Sequence, residues 1–345
     1  MNAQSDAYDA SSVFEQQHGG LARLQHLLHR FPVVSPFAVL MISAIAFTIL
    51  GKGRFQSPAS IGTMLQATAV MATLAIGQTL IILTAGVDLA VGTAMLLSHL
   101  VVAKLVADHG APAILALLAG MAAGLLMGLF HGTLVTRLGL PPFIVTLGSF
   151  YIYQSLGNVY SQAQTIQGDK FGGANGLLLW TGKEIQIGSF QITVGVVMVV
   201  VLYVIFGFIL ANTAWGQHVY ATGDDAEAAR LAGVDTRRVL ISVYVVAGLV
   251  YAIGAWVQLG RSATASMNGA KDVNLESITA VVIGGTSLFG GRGRLWGTLV
   301  GALIVAVFDR GLSLAEVDQY YKNFAIGALI LVAVGLDQWI RKVAK

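Results

Sequence analysis

The sequence predicts an all-α, polytopic membrane protein with about ten transmembrane helices, and three observations carry that reading. Of 345 residues, 56% are apolar before the 41 glycines are counted. Only 11% are charged and the mean hydropathy is +0.75, whereas a soluble domain carries roughly 25% charged residues. Charge this sparse leaves a water-soluble fold without enough polar surface, so the solvent for most of the chain is lipid. Third, apolar runs of about 20 residues, the length a bilayer demands, recur along the whole chain.

Taken in order, the runs lie at 33–50, 62–83, 89–107, 112–135, 142–158, 190–211, 239–259, 274–289, 296–313 and 323–340, each bounded by charge, Pro or turn residues. Together they define one transmembrane domain over 33–340. Glycine-rich stretches at 84–92 and 284–293 predict tight turns and short or broken helices beside them. Residues 1–32 form a polar N-terminal segment, partly disordered, in which Leu21, Leu24, Leu27 and Leu28 mark a short amphipathic surface helix. No apolar core precedes the first crossing, so this segment does not read as a cleavable signal peptide.

An even number of crossings puts both termini on one side. The basic cluster Arg341, Lys342 and Lys345, with Arg230, Arg237 and Arg238 in one loop, assigns that side to the cytoplasm by the positive-inside rule. Residues 159–189 then lie outside, where Phe171, Leu177 and Trp180 predict short structured pieces over the outer mouth. Residues 212–238 lie inside.

Composition also removes several function classes. Cysteine is absent, which excludes disulfides, thiolate catalysis and Cys-ligated metal. Net charge is +3 with no run of Lys and Arg, so no nucleic acid partner is expected. The run from Gly285 to Gly290 has the glycine spacing of a phosphate loop, but Gly291 and Arg292 stand where Lys and Ser or Thr are needed. Those glycines read as close-packed backbone. No serine has an identifiable His partner, so an intramembrane hydrolase is disfavoured. The chain is expected to be no enzyme, with no catalytic, cofactor-binding or metal-binding residues of its own.

The inner loop at 222–238 reads as a short capped helix. Asp224 is placed to N-cap it, Glu227 three residues later has capping-box spacing, and Gly233 is placed to end it in the left-handed conformation. So short a helix is marginal alone, and its face of Ala226, Ala229 and Leu231 is small enough to enter another protein's cleft. An ordinary connecting helix on the membrane surface is the alternative.

Four blocks in order give the chain a family resemblance. They are Gly77–Gly92, with Gly86-Val87-Asp88-Leu89 at its centre; Leu140–Gly148; the inner loop; and Ile278–Gly293. In these the chain resembles the membrane permease subunit of bacterial ABC sugar importers of the ribose type. Tyr220–Asp225 and Leu336–Lys342 look closest to fructose-importing members, while ribose, inositol and other polyols stay open. Departures from the family pattern are Ala85 and Ala90 for Gly and Ser, His131 for Asn, and Asp309-Arg310-Gly311 for an Asn-Gly segment.

The resemblance implies a multi-pass permease of the bacterial inner membrane, paired with a second copy of itself. It implies a separate cytoplasmic ATP-binding subunit, which would hold ATP and magnesium, and a periplasmic sugar-binding protein that delivers a monosaccharide. It also makes the inner loop a coupling helix. Asp224, Asp225, Ala226, Glu227, Ala228, Ala229, Arg230, Leu231 and Gly233 fall where that role would lie.

Candidate pathway residues are Asp88, Phe143, Thr146, Gln154, Asn158 and Glu276. Asp88 and Glu276 sit at helix starts, where an N-cap facing water is the simpler role. Gln154 and Asn158 share the fifth crossing with Tyr151 and Tyr153, a polar-aromatic surface suited to hydroxyl-rich sugar. An ion-coupled secondary transporter is the alternative mechanism, and it would need carboxylate or His in mid-membrane. His99 and His131 are the only mid-helix candidates, which favours a gate driven by ATP elsewhere.

Overall fold

A computed structural model describes residues 34–51, 53–269 and 273–318, and then 320–322, 324–328, 331–332 and 335. The helices introduced first are α1 (Val34–Leu50), α2 (Pro58–Leu83), α3 (Val91–His109), α4 (Ala113–Arg137) and α5 (Pro142–Ser161). A short strand β1 (Ile166–Gln167), 3-10 turns, α6 (Asn175–Leu178) and the hairpin β2 (Glu184–Ile187) and β3 (Phe190–Thr193) follow. The chain continues through α7 (Val194–Asn212), α8 (Ala214–Asp224), α9 (Ala226–Leu231), α10 (Thr236–Ser262), β4 (Thr264–Ala265), α11 (Val273–Ile283) and α12 (Leu295–Leu314).

Among the described residues, six helices are long and apolar enough to cross a membrane: α2, α3, α4, α7, α10 and α12. They coincide with six of the ten expected crossings. The other four differ for identifiable reasons. The first is shorter, α5 is long but carries too many polar residues, and the tenth lies partly outside the described residues. The expected crossing at 274–289 is an eleven-residue helix that stops at Ile283. At 1.5 Å per residue it spans roughly half the hydrocarbon core. Gly284 and Gly285 end it, and Gly285 takes φ +85. The expected crossing at 190–211 begins at Val194, because Phe190–Thr193 is a hairpin strand. The expected surface helix at 20–30 and the basic cluster at 341–345 lie outside the described residues.

Local sequence explains most helix ends. Ser57 caps α2 by accepting from the Ser60 N–H at 3.3 Å, with Pro58 in the first turn. Pro142 opens α5, and Gly110 closes α3 in the left-handed conformation. Asp235 caps α10 by accepting from the Arg238 N–H at 3.1 Å, and holds the Arg238 guanidinium at 3.0 Å.

The core is the packing of α10 on α4 and α2, and glycine makes it possible. Gly124, Gly128 and Gly132 present bare backbone to α10, and a Cβ at Gly124 or Gly128 would overlap the carbonyl of Gly248 or Tyr244. Small residues every fourth position let helix backbones touch where no hydrophobic effect drives them together. The contacts run antiparallel, Gly132 meeting Ile241 and Gly124 meeting Gly248. The C-terminal end of α4 therefore lies at the same membrane face as the start of α10.

Short structured pieces cover the opposite face, as the loop composition predicts. β1 pairs antiparallel with β4, so this mostly helical protein also carries four short strands. Phe171 is buried, Trp180 stacks on Trp256 at 5.8 Å, and the Trp256 indole donates to the Leu177 carbonyl at 3.1 Å.

Candidate functional site

The inner loop folds as two consecutive helices. Thr213 caps α8 by accepting from the Gly216 N–H at 3.2 Å. Asp225, in extended conformation between the helices, accepts from the N–H groups of Glu227 and Ala228, each at 2.9 Å. The cap of α9 is therefore Asp225. Asp224, expected in that role, is the last residue of α8, and the capping box it would have formed with Glu227 is absent. The reason is that α8 runs on through Thr222 and Gly223, so the chain leaves helical geometry one residue later. Glu227 instead faces Arg230 at 3.7 Å, both exposed. Gly233 ends α9 at φ +91, and the Val234 N–H donates to the Ala229 carbonyl at 3.0 Å, the closing bond of a left-handed helix stop.

Burial divides α9 in a way its sequence does not show. Ala229 is buried against the chain's own helices, where α9 meets α8 and α10. Ala226, Glu227, Ala228, Arg230 and Leu231 project outward, Leu231 with 81% of its surface exposed. The expected face of Ala226, Ala229 and Leu231 is thus split, and Ala229 anchors the helix from below.

Three backbone segments meet at the end of α8, just before α9. The Gly291 N–H donates to the Leu83 carbonyl at 2.9 Å. Gly223 lies so close to that carbonyl that a Cβ there would overlap it, and a Cβ on Gly290 would strike the Gly223 carbonyl and Ala85. The end of α8, the end of α2 and the loop 284–294 are clasped through glycine backbone. Ala85 itself takes φ +59, a left-handed conformation that favours glycine.

From the clasp the chain dips back into the protein and reaches Asp88, which is fully buried. The carboxylate caps the local turn, Oδ1 accepting from the Ala90 N–H at 2.7 Å. It does not face water. Oδ2 accepts from the Tyr251 hydroxyl at 3.2 Å and lies 3.9 Å from His131 Nδ1. The Tyr153 hydroxyl stands 3.1 Å from His131 Nε2. Residues of α4, α5 and α10 thus converge on a turn leading into α3. Gly77 leaves the space in which the Tyr251 ring lies.

The other candidates distribute around this turn. Thr146 is buried and its hydroxyl donates to the Val87 carbonyl at 3.1 Å, joining it directly to the Asp88 segment. Phe143, on the same helix, has 53% of its surface exposed, while Gln154 and Asn158 are half-buried further along α5. Glu276 lies half-buried in the first turn of α11, whose Asn274 side chain accepts from the Gly92 N–H at the start of α3. Two helix starts therefore meet inside the protein. Gln78 and His99 are also buried, with no hydrogen-bond partner for any polar side-chain atom. Tyr153 is marked by its polar-aromatic crossing, but Tyr244 and Tyr251 have no sequence signature, since each stands in an ordinary apolar run. For those two, only an aspartate and a histidine in neighbouring crossings give a hint.

A bundle of membrane-crossing helices, broken internally and carrying a short capped helix pair at one face, defines a multi-pass membrane transport protein. The chain belongs to the family described as the branched-chain amino acid transport system / permease component, whose model matches residues 60–334. It is 45% identical over 324 residues to the fructose import permease protein FrcC of Rhizobium meliloti, covering 94% of this chain and 90% of that one. It is 35% identical to the ribose import permease protein RbsC of Bacillus subtilis, over 88% of this chain and 92% of that one. A third relative is the D-allose transport system permease protein AlsC of Escherichia coli, 30% identical over 89% and 91%. No solved structure matches the chain.

Proposed function

We propose that this chain is the membrane-spanning subunit of an ATP-binding cassette importer that translocates a monosaccharide, with fructose as the first substrate to test. The observation that carries the reading is the outward face of α9, which Asp225 joins directly to the end of α8 held in the glycine clasp. A rigid-body push on Ala226, Ala228 or Leu231 reaches Leu83 through Gly223 and Gly291, and five residues later reaches Asp88 and its partners. The likeness to FrcC supports fructose, and the likeness to RbsC and AlsC keeps ribose and allose as alternatives.

In this reading the protein is not itself an enzyme. ATP and magnesium are held by a cytoplasmic ATP-binding subunit whose cleft receives α9, and a periplasmic binding protein delivers sugar to the opposite face. Two copies form the pathway. The chain sits in the bacterial inner membrane with both termini cytoplasmic. The start of α1 lies at the α9 face, because Phe47 near its other end packs on Gly311 near the far end of α12. Arg137, Arg230, Arg237, Arg238, Arg292 and Arg294 all stand at that face too, which supports its cytoplasmic assignment.

The buried Asp88–His131 pair favours a second reading, an ion-coupled carrier. Reconstitution in lipid with the neighbouring ATP-binding and binding proteins separates the two. ATP hydrolysis stimulated by the binding protein with fructose supports the importer and its substrate; stimulation by another sugar keeps the mechanism and replaces the substrate. Uptake that ignores ATP and collapses with the ion gradient overturns the importer.

A further inference from the structure

We infer that the cavity beside the start of α12 is a site for one anionic phospholipid, with Arg292 and Arg294 on its phosphate. The cavity holds about 470 Å³ and is lined by Gly207, Leu210 and Ala211 of α7, Tyr220 of α8, loop residues 291–294, and Leu295 and Trp296. Both arginines are exposed, and neither forms an ion pair among the described residues. The nearest acid in the clasp, Asp224, packs against Gly291 and does not line the cavity.

The arginines stand on fixed backbone. The Ser287 N–H donates to the Arg292 carbonyl at 2.8 Å, and the Tyr220 hydroxyl donates to the Gly293 carbonyl at 2.9 Å. Gly291 takes φ +67 against Asp224, where a side chain would collide. Burial pushes the Tyr220 phenol up from its ordinary value, against a smaller opposing pull from Arg294, so at neutral pH it stays protonated and keeps donating.

The other wall decides the ligand class. α7 is the most apolar of the crossing helices, and Val201, Val204, Ile205 and Phe208 project outward from it with about half of their surface exposed or more. This face runs directly into the cavity wall at Gly207 and Leu210. Trp296, 46% exposed, packs against Gly207 at the level where helix ends meet the interface. A cationic pocket that continues into a hydrocarbon-facing groove fits a phosphate carrying acyl chains. A soluble phosphate would use the arginines and leave the groove unexplained, and basic pockets between transmembrane helices are established lipid-headgroup sites.

The test uses the full chain in bilayers of phosphatidylcholine with phosphatidylglycerol, one or the other brominated on its acyl chains to quench tryptophan. Bromo-phosphatidylglycerol is expected to quench the Trp296 component, assigned with Trp296→Phe, at a lower mole fraction than bromo-phosphatidylcholine. Each surface basic residue favours an anionic lipid by roughly fivefold, which sets about thirtyfold as the ceiling for the pair. Arg292→Gln with Arg294→Gln should abolish the preference, Arg294→Lys alone should keep most of it, and Arg137→Gln with Arg237→Gln, outside the cavity, should leave it intact. Unchanged quenching by bromo-phosphatidylcholine shows that each variant is folded. Equal quenching by both lipids, or a preference that survives loss of both arginines, overturns the site. Displacement of phosphatidylglycerol by inorganic phosphate at matched concentration overturns the lipid in favour of a soluble oxyanion.

Discussion

Gly291 and Leu83, more than two hundred residues apart in sequence, share a 2.9 Å backbone hydrogen bond, and Gly223 packs on the same Leu83 carbonyl. With Gly223, the bond ties the end of the second helix to the end of α8, the helix that leads through Asp225 into the short helix proposed to receive the ATP-binding subunit. Replacing Gly223 with Val forces a side chain into that carbonyl. The expected outcome is a chain that still inserts in the membrane but loses about tenfold or more of its sugar uptake per ATP hydrolysed. Reconstituted vesicles measure both rates, and unchanged coupling would remove the clasp from the mechanism.

Ala229 and Leu231 should respond oppositely, although they lie two residues apart. Ala229→Leu overpacks the contact of α9 with its own chain and should destabilise the isolated protein by about 1–3 kcal/mol. Leu231→Glu changes an exposed position and should shift stability by no more than about 0.5 kcal/mol, while weakening capture of the ATP-binding subunit. Thermal unfolding in detergent and co-purification read the two effects separately. A stable Ala229→Leu variant that fails to bind its partner would restore Ala229 to the docking face.

The α4–α10 seam depends on backbone contact. Gly128→Leu places a side chain into the Tyr244 carbonyl and the backbone of Val245, and should cost about 3 kcal/mol or more, at the upper end of overpacking effects. Gly148→Leu on α5, where nothing lies within contact distance of a Cβ, is the matched control and should be close to neutral. Folded yield and melting temperature in detergent distinguish them.

Around Asp88, Tyr251→Phe removes one hydroxyl and leaves the buried Oδ2 without that donor. A loss of about 1–3 kcal/mol is expected from the unmet carboxylate oxygen. Gln78→Leu should do the reverse, because the buried amide it removes has no hydrogen-bond partner in the protein. Stability should hold or rise. If Gln78 serves the sugar path, uptake should fall although the protein is more stable, and uptake that follows stability would assign Gln78 no part in transport.

Much of the candidate site was legible in the chain itself. The inner loop could be read from its caps, because capping is a matter of side-chain type over three or four residues. It was misplaced by one residue, Asp225 for Asp224, because both acids satisfy the same local rule and only the continuation of α8 chooses between them. Asp88 was legible as a lone charge between apolar runs, but it neither caps α3, whose N-cap is Ala90 without a side-chain bond, nor faces water; its carboxylate holds the turn before that helix. Its burial and its partners were not legible, since Tyr153 and Tyr251 are separated from it by two and several helices.

By itself the sequence determined the solvent, the helical architecture, six of the crossings, the position of the short capped helix at 226–231 to within a residue, and the family. Those follow from composition, run length and short-range capping, which act along the chain. The tertiary structure alone decided that α11 is a half-length helix, that Ala229 faces inward, and that side chains of α4, α5 and α10 surround Asp88. The physical reason lies in the solvent. A helix in lipid is apolar on every side, so no amphipathic stripe marks the face that packs, and the choice falls to close backbone contacts between glycines far apart in sequence.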